Sequence, residues 1–254
     1  MCVCVCAEFA PSWRTAHASQ QVLVALTAPA AALRAAPRMM ADRVYGPAEA
    51  KGGAPVDPRK TAVLFIEYQN EFTSEGGKLH DAVKGTMGDM LDRSAAVAMK
   101  ARGAGATVMH APIMFKEDAS DNPNKALGIL AGCANDKLFT EGTWNAEFVD
   151  QMAPQPGDVV VQGKKGLDAF PGTDLEEQLK ARGIETVALA GFLTNCCVES
   201  TMRSAYEKGF NVITLTDCTA TTSDEGQTAA TTGTYSMFSA PMTSDEFKEM
   251  LGPF

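Results

Sequence analysis

The chain has 254 residues, 45% of them hydrophobic and 21% charged, with a formal net charge of −9. That length suffices for one α/β domain with a well-buried core, and no apolar run approaches the ~20 residues needed to span a bilayer. Residues 1–60 hold seven Lys/Arg against four Asp/Glu, which leaves −12 on the remainder; an acidic body repels nucleic-acid phosphates and anionic membrane surfaces.

Residues 1–57 differ in composition from the rest of the chain. They are rich in Ala, Pro and Ser, carry Arg14, Arg34 and Arg38, and hold Glu8 as the only acid before Asp42. Two readings stand: a transit peptide, or an upstream start with translation beginning at Met39 or Met40. On either, 1–57 is a disordered extension outside the fold and 58–254 is the domain. The compartment is then the cytoplasm, or a plastid or mitochondrion if the extension is a transit peptide. The alternating Cys2, Cys4 and Cys6 lack metal-ligand spacing, and the odd count of seven cysteines argues against a disulfide framework.

From Thr61 to Tyr68 a continuous apolar run predicts a strand buried on both faces. The spacing of Val83, Met87, Met90, Leu91, Val97, Ala98 and Ala101 predicts one helix over 79–102, stopped by Gly103 and Gly105. Ala106–His110 reads as a strand. A long excursion occupies 111–157, with an amphipathic stretch near Asn145–Met152. Asp118–Gly132 within it is expected to serve as a lid or an oligomer contact. Then come a strand at Asp158–Val161, a helix at Asp174–Arg182 with acids in its first turn, a strand at Glu185–Ala190, a helix over 196–208 and a strand at Asn211–Leu215. Alternating strands and helices imply a mainly parallel sheet covered on both faces.

Chemistry in such sheets sits beyond the carboxyl ends of the strands. There the sequence puts Glu67, Lys164 and the segment Leu189–Thr201. Cys197 falls in the expected first turn of a helix, where free N–H groups and the dipole stabilise a thiolate and can hold an oxyanion. Glu67 can take the thiol proton and deliver it to a leaving amine, and a cation at Lys164 favours both anions. Each has a plainer reading: Lys164 as a turn lysine like Lys165, Glu67 as a strand-end cap. Phe72, Trp144, Phe170 and Phe192 are candidate pocket walls or core. Cys218 reads as packing, and Cys133 carries no visible signal.

Four ordered blocks carry a resemblance: Ala62-Val-Leu-Phe-Ile-Glu-Tyr-Gln-Asn-Glu-Phe72, Val159-Val-Val-Gln-Gly-Lys164, Ala169-Phe-Pro-Gly-Thr173 and Gly191-Phe-Leu-Thr-Asn-Cys-Cys-Val-Glu-Ser-Thr201. Together with Gly142-Thr-Trp-Asn-Ala-Glu147 they resemble the isochorismatase-like cysteine hydrolases from about Thr61 to the C-terminus. The resemblance implies a Rossmann-like three-layer α/β/α fold with a six-stranded, mainly parallel sheet, and a homodimer or homotetramer. It also implies an acid–Lys–Cys triad that cleaves amide or carbamoyl C–N bonds of small molecules through a thioester. Carried over, the triad is Glu67, Lys164 and Cys197. The oxyanion donors are the backbone N–H groups of Leu193 and Cys197, with a cis peptide between Phe192 and Leu193. Cys196 occupies a variable position that packs or lines the site's edge.

Two departures matter. The family's acid is normally Asp and here is Glu67; the alternative this raises is an inactive member binding a metabolite or protein partner in the same pocket. Nicotinamidases of the family hold a metal through Asp-x-His, whereas here the region reads His110-Ala-Pro-Ile-Met-Phe-Lys116. No metal and no cofactor are therefore expected. The substrate expected is a linear amide, carbamoyl or ureido compound, or a small cyclic analogue.

Overall fold

The computed structural model describes residues 56–253. The expected N-terminal extension lies outside the described residues, apart from two of its members. Val56 is buried, and Asp57 caps the single 3-10 turn Pro58–Lys60.

Strand β1, Thr61–Ile66, is buried on both faces, as its unbroken apolar run requires. Its neighbours are β2, Thr107–Ala111, and β4, Thr186–Phe192. Outside these lie β3, Val159–Val160, and β5, Asn211–Ala220, with β6, Ala240–Met242, at the far edge. The six strands run in the order β3-β2-β1-β4-β5-β6, and every pairing is parallel. The chain winds from β1 outward to β3, then crosses back to β4 on the other side of β1. That reversal opens a crevice between the carboxyl ends of β1 and β4.

Side chains of β1 alternate between two cores. Val63 and Phe65 join Val97, Ala98 and Ala101 of the long helix behind them, whereas Ala62, Leu64 and Ile66 join Leu175, Leu179 and Met202 on the opposite face. The single helix expected over 79–102 is two: α2, His80–Met87, and α3, Met90–Ala104, preceded by the one-turn helix α1, Asn70–Thr73. Gly88 separates them at φ 46°, a conformation that favours glycine. Gly103 does not stop α3. It keeps helical bonding, and the left-handed cap falls on Gly105, whose N–H donates to Ala101 and Arg102.

The expected amphipathic stretch at Asn145–Met152 is not a helix either. It holds two single 3-10 turns, Trp144–Ala146 and Asp150–Met152. Its main chain is engaged elsewhere: Glu147 O accepts from Asn70 N at 2.9 Å, and Val149 N donates to Tyr68 O at 3.1 Å. Within Asp118–Gly132 the chain starts α4, Gly128–Asn135, which buries Leu130 and Cys133 in the core.

Helix α5, Leu175–Ala181, comes after β3, and α6, Glu199–Glu207, after β4. The C-terminal part adds α7, Asp224–Ala229, the turn α8, Tyr235–Phe238, and α9, Ser244–Met250. Thr243 and Glu246 form a reciprocal capping box at the start of α9, a Thr-x-x-Glu signal legible in the sequence. No helix among the described residues is long and apolar enough to cross a membrane.

One polar group is enclosed near the β2–β3 edge. His110 of β2 is fully buried between the rings of Phe65 and Phe148. Its Nε2 meets Asp158 at 3.1 Å, its Nδ1 has no partner among the described residues, and Arg102 donates to the same carboxylate at 2.7 and 2.9 Å. Burial holds the imidazole below its ordinary 6.5, outweighing the pull of Asp158. The unfolded chain therefore takes up a proton before the folded one does, so this contribution to stability is complete above pH 6.5 and is lost as pH falls below it. The urea midpoint should fall as pH drops from neutral through that value. His110→Leu should flatten that part of the profile, because Asp158 keeps Arg102.

Candidate active site

β1 ends at Ile66, and Glu67 comes next at φ 60°. That left-handed backbone costs a non-glycine residue roughly 1–2 kcal/mol. It is held by two bonds: Glu67 N donates to Ala111 O at 3.1 Å, and Glu67 O accepts from Gln69 N at 2.7 Å. Lys164 arrives from beyond β3. Its ammonium donates to Glu67 Oε1 and, at 2.7 Å, to Gly166 O. Both side chains are sealed from water, at 0% and 2% exposure. Burial alone would depress the ammonium, but the charge of Glu67 foremost outweighs it and holds Lys164 above its ordinary range.

The third component comes from the end of β4. A Cβ on Gly191 would lie 2.0 Å from Ile66 O, and the residue sits at φ 128°. Only glycine lets β4 pass this close to the end of β1. The Phe192–Leu193 peptide is cis. A wide turn then runs over Thr194–Val198, in which Cys196 N and Val198 N both donate to Leu193 O, at 3.0 and 3.2 Å. The helix expected from Cys196 is present: Asn195 (φ −91°, ψ 17°) is the one residue of this turn outside helical geometry, and from Cys196 the chain winds through Val198 into α6 without a break. Cys197 thus lies in the first turn of that continuous run, wound more widely than an α-turn.

The thiols differ from the sequence expectation as well. Cys197 is 4% exposed, and its thiol is pushed well above the ordinary value, first by its hydrogen bond with Cys196, then by burial and Glu67, against Lys164. The half-buried Cys196 is lowered, chiefly by that same bond. Both directions run against the thiolate expected at Cys197. Cys133, which carries no sequence signal, feels Glu67, Lys164 and Cys196, and burial pushes it up to about 11. For all three thiols the upward pull of Glu67 exceeds the downward pull of Lys164.

The aromatic candidates separate. Phe72 stacks on Phe192 at 5.0 Å and meets Phe139 at 5.3 Å, packing beneath the nucleophile turn. Trp144 is half exposed, with its ring against the space above Gly76. Phe170 lies in the same buried cluster as Cys197 and stacks on Phe210 with Lys208 above its ring, and its loop after Lys164 is tied to α6 by Ala169 N to Thr201 Oγ1 (3.0 Å) and Ser204 Oγ to Asp168 (2.5 Å). Cys218 is fully buried in the core. Among the described residues no group of three His, Cys, Asp or Glu side chains is placed to hold a metal ion.

Two residues shortly after Glu67 tie the excursion down. Gln69 donates to Ile113 O and Ala146 O, at 2.8 and 2.7 Å, and accepts from Ile113 N at 2.9 Å. Glu71, fully buried, accepts from Lys78 N (2.6 Å), Asn145 Nδ2 (3.0 Å) and Phe139 N (3.3 Å). Glu71→Ala strands these donors and should cost about 3 kcal/mol in chemical unfolding. Alkylation and mass spectrometry should find Cys196 labelled ahead of Cys197 at neutral pH, with Cys197 labelling climbing only as the medium becomes alkaline.

Comparison with known proteins agrees with this layout. The isochorismatase domain profile matches residues 61–246. The chain is 34% identical over 178 residues to the ureidoacrylate amidohydrolase RutB of Methylobacterium radiotolerans, covering 65% of this chain and 68% of that one. It is 32% identical over 217 residues to the ureidoacrylate amidohydrolase RutB of Caulobacter segnis, covering 78% and 88%. A crystal structure of a cysteine hydrolase from Pseudomonas syringae pv. phaseolicola superimposes with a TM-score of 0.69 at 26% identity, covering 78% of this chain and 94% of that one. With its six parallel strands in this order and the domain profile matched across nearly all of the sheet, the chain belongs to the isochorismatase family.

Proposed function

We propose that this protein hydrolyses an amide, carbamoyl or ureido C–N bond of a small molecule through a thioester on Cys197. The observation that carries the reading is the sealed Glu67–Lys164 ion pair beyond the ends of β1 and β3, whose two charges both act on the buried Cys197 thiol beyond β4. A ureido compound is the substrate class favoured by the likeness to the ureidoacrylate amidohydrolases.

In this mechanism Glu67 accepts the Cys197 proton as the sulfur attacks the substrate carbonyl carbon. The backbone N–H groups of Leu193 and Cys197 receive the oxyanion. The C–N bond then breaks, and Glu67 passes its proton to the departing nitrogen, releasing ammonia or an amine. In the second half Glu67 takes a proton from water, the hydroxide attacks the thioester, and the proton returns to the Cys197 sulfur. Lys164 keeps the carboxylate ionised and supplies positive charge beside the thiolate as it forms. Cys197, Glu67, Lys164 and water supply every group these steps move, so the mechanism requires no metal and no cofactor. Phe72, Trp144 and Phe170 are the candidate walls of the substrate pocket. The active form is a dimer or tetramer.

Ammonia release from carbamoyl and ureido compounds tests the reading. Cys197→Ala should abolish turnover, whereas Cys196→Ala should keep most of it. Glu67→Gln should lower kcat by on the order of 10³-fold, and Glu67→Asp should restore much of that loss. Wild-type turnover in both cysteine variants would exclude the thioester on Cys197.

A further inference from the structure

The nucleophile turn is gripped by the chain that follows β5. Thr194, its first residue, is fully buried and held at two points. Its hydroxyl donates to Gln227 Oε1 of α7 at 2.6 Å, and its carbonyl accepts from the Tyr235 hydroxyl of α8 at 2.7 Å. Asn195 is held beside it. Its Oδ1 accepts from Thr221 Oγ1 at 2.7 Å, and Thr221 N donates to Thr86 Oγ1 of α2 at 3.0 Å.

Gln227 is the member of this network whose side chain is fixed at both ends of its amide. Its Nε2 donates to Thr219 O at 3.1 Å and to Thr216 O at 3.4 Å. Main-chain carbonyls only accept, so the amide nitrogen must face β5 and the amide oxygen must face Thr194. Thr219 stands opposite Gly191 in the β4–β5 register. One side chain therefore ties the end of β5, beside the glycine that lets β4 pass β1, to the first residue of the turn that carries Cys197. Thr194 also directly follows Leu193, whose carbonyl accepts from Cys196 N and Val198 N. Holding Thr194 by its hydroxyl and its carbonyl restricts the backbone between the two N–H groups assigned to the oxyanion. A displacement of about 1 Å there costs on the order of 10²-fold in rate.

We propose that Gln227 is a positioning residue for the hydrolysis: acting through Thr194, it keeps the Leu193 and Cys197 N–H groups and the Cys197 sulfur in the arrangement the oxyanion requires. This rests on the hydrolase reading for its turnover readout. A polar tie that only fastened the C-terminal part of the chain to the sheet would change stability and leave the chemical step alone.

The experiment compares wild type, Gln227→Leu, Thr194→Val, Thr194→Ser and the double variant Gln227→Leu with Thr194→Val in the full-length chain, each assayed well below its unfolding midpoint. With a carbamoyl or ureido substrate, Gln227→Leu and Thr194→Val should each lower kcat by on the order of tenfold to a hundredfold, with KM within about twofold of wild type. Thr194→Ser keeps the hydroxyl and should keep most of kcat. The double variant should be no slower than the slower single one, because both changes remove the same bond. Alkylation by iodoacetamide at alkaline pH, with the label located by mass spectrometry, needs no turnover. Labelling of Cys197 relative to Cys196 should rise in Gln227→Leu and Thr194→Val and stay at the wild-type ratio in Thr194→Ser. Wild-type kcat in Gln227→Leu, a rise in KM alone, or losses that multiply in the double variant would overturn the assignment. If Gln227→Leu does not fold, Thr194→Val against Thr194→Ser makes the same comparison from the other end of the bond. If wild type hydrolyses no carbamoyl or ureido compound, the hydrolase reading fails, and the labelling ratio alone decides whether Gln227 sets the position of Cys197; an unchanged ratio in Gln227→Leu would reject it.

Discussion

The ion pair between Glu67 and Lys164 is the constraint on which the rest of this architecture depends. Two charges with 0% and 2% exposure have given up their hydration, a loss of several kcal/mol per ion that only close pairing and further hydrogen bonds offset. The geometry needed is demanding. In the order β3-β2-β1, Lys164 beyond β3 must reach past the end of β2 to a residue beyond β1. Neighbouring strands are ~4.8 Å apart, so the gap is about 10 Å. The two side chains close it together. The bond from Lys164 to Gly166 O and the bond from Glu67 N to Ala111 O hold the two ends in place.

The pair also acts on Cys197, whose thiol is pushed up first by the hydrogen bond with Cys196, then by burial and Glu67, against Lys164. Cys196, half-buried and bonded to Cys197, shares that field without the same enclosure.

Much of this architecture is legible in the sequence, for identifiable reasons. β1 declares itself because burial on both faces demands an unbroken apolar run, and β4 likewise. Glu67, Lys164 and Cys197 stand out because strand ends in a parallel sheet converge on one edge. The features that escape a sequence reading depend on tertiary bonding. The break at Gly88 interrupts a stripe whose spacing carries on unbroken across it. β5 runs on to Ala220 through the polar Thr216–Thr219, past a register shift against β4, where the alternation a strand reading needs is lost. Asn145–Met152 looks amphipathic, yet its main chain pairs with the segment after β1. Cys133 carries no local signal because its burial comes from where α4 lands, which no local pattern encodes.

The short stretch Gln69, Asn70 and Glu71 has a bearing on how such a scaffold can diversify. These residues adjoin the acid of the site, and their side chains grip Ile113, Ala146, Trp144, Lys78, Phe139 and Asn145. Most of those contacts are to main-chain atoms, which any sequence supplies. The excursion can therefore exchange its side chains while its path stays pinned to the residues that follow Glu67. Recombining whole excursions between relatives should preserve registration at the site so long as the spacing between the pinned carbonyl and N–H groups is kept, which separates the evolution of substrate range from that of the catalytic core.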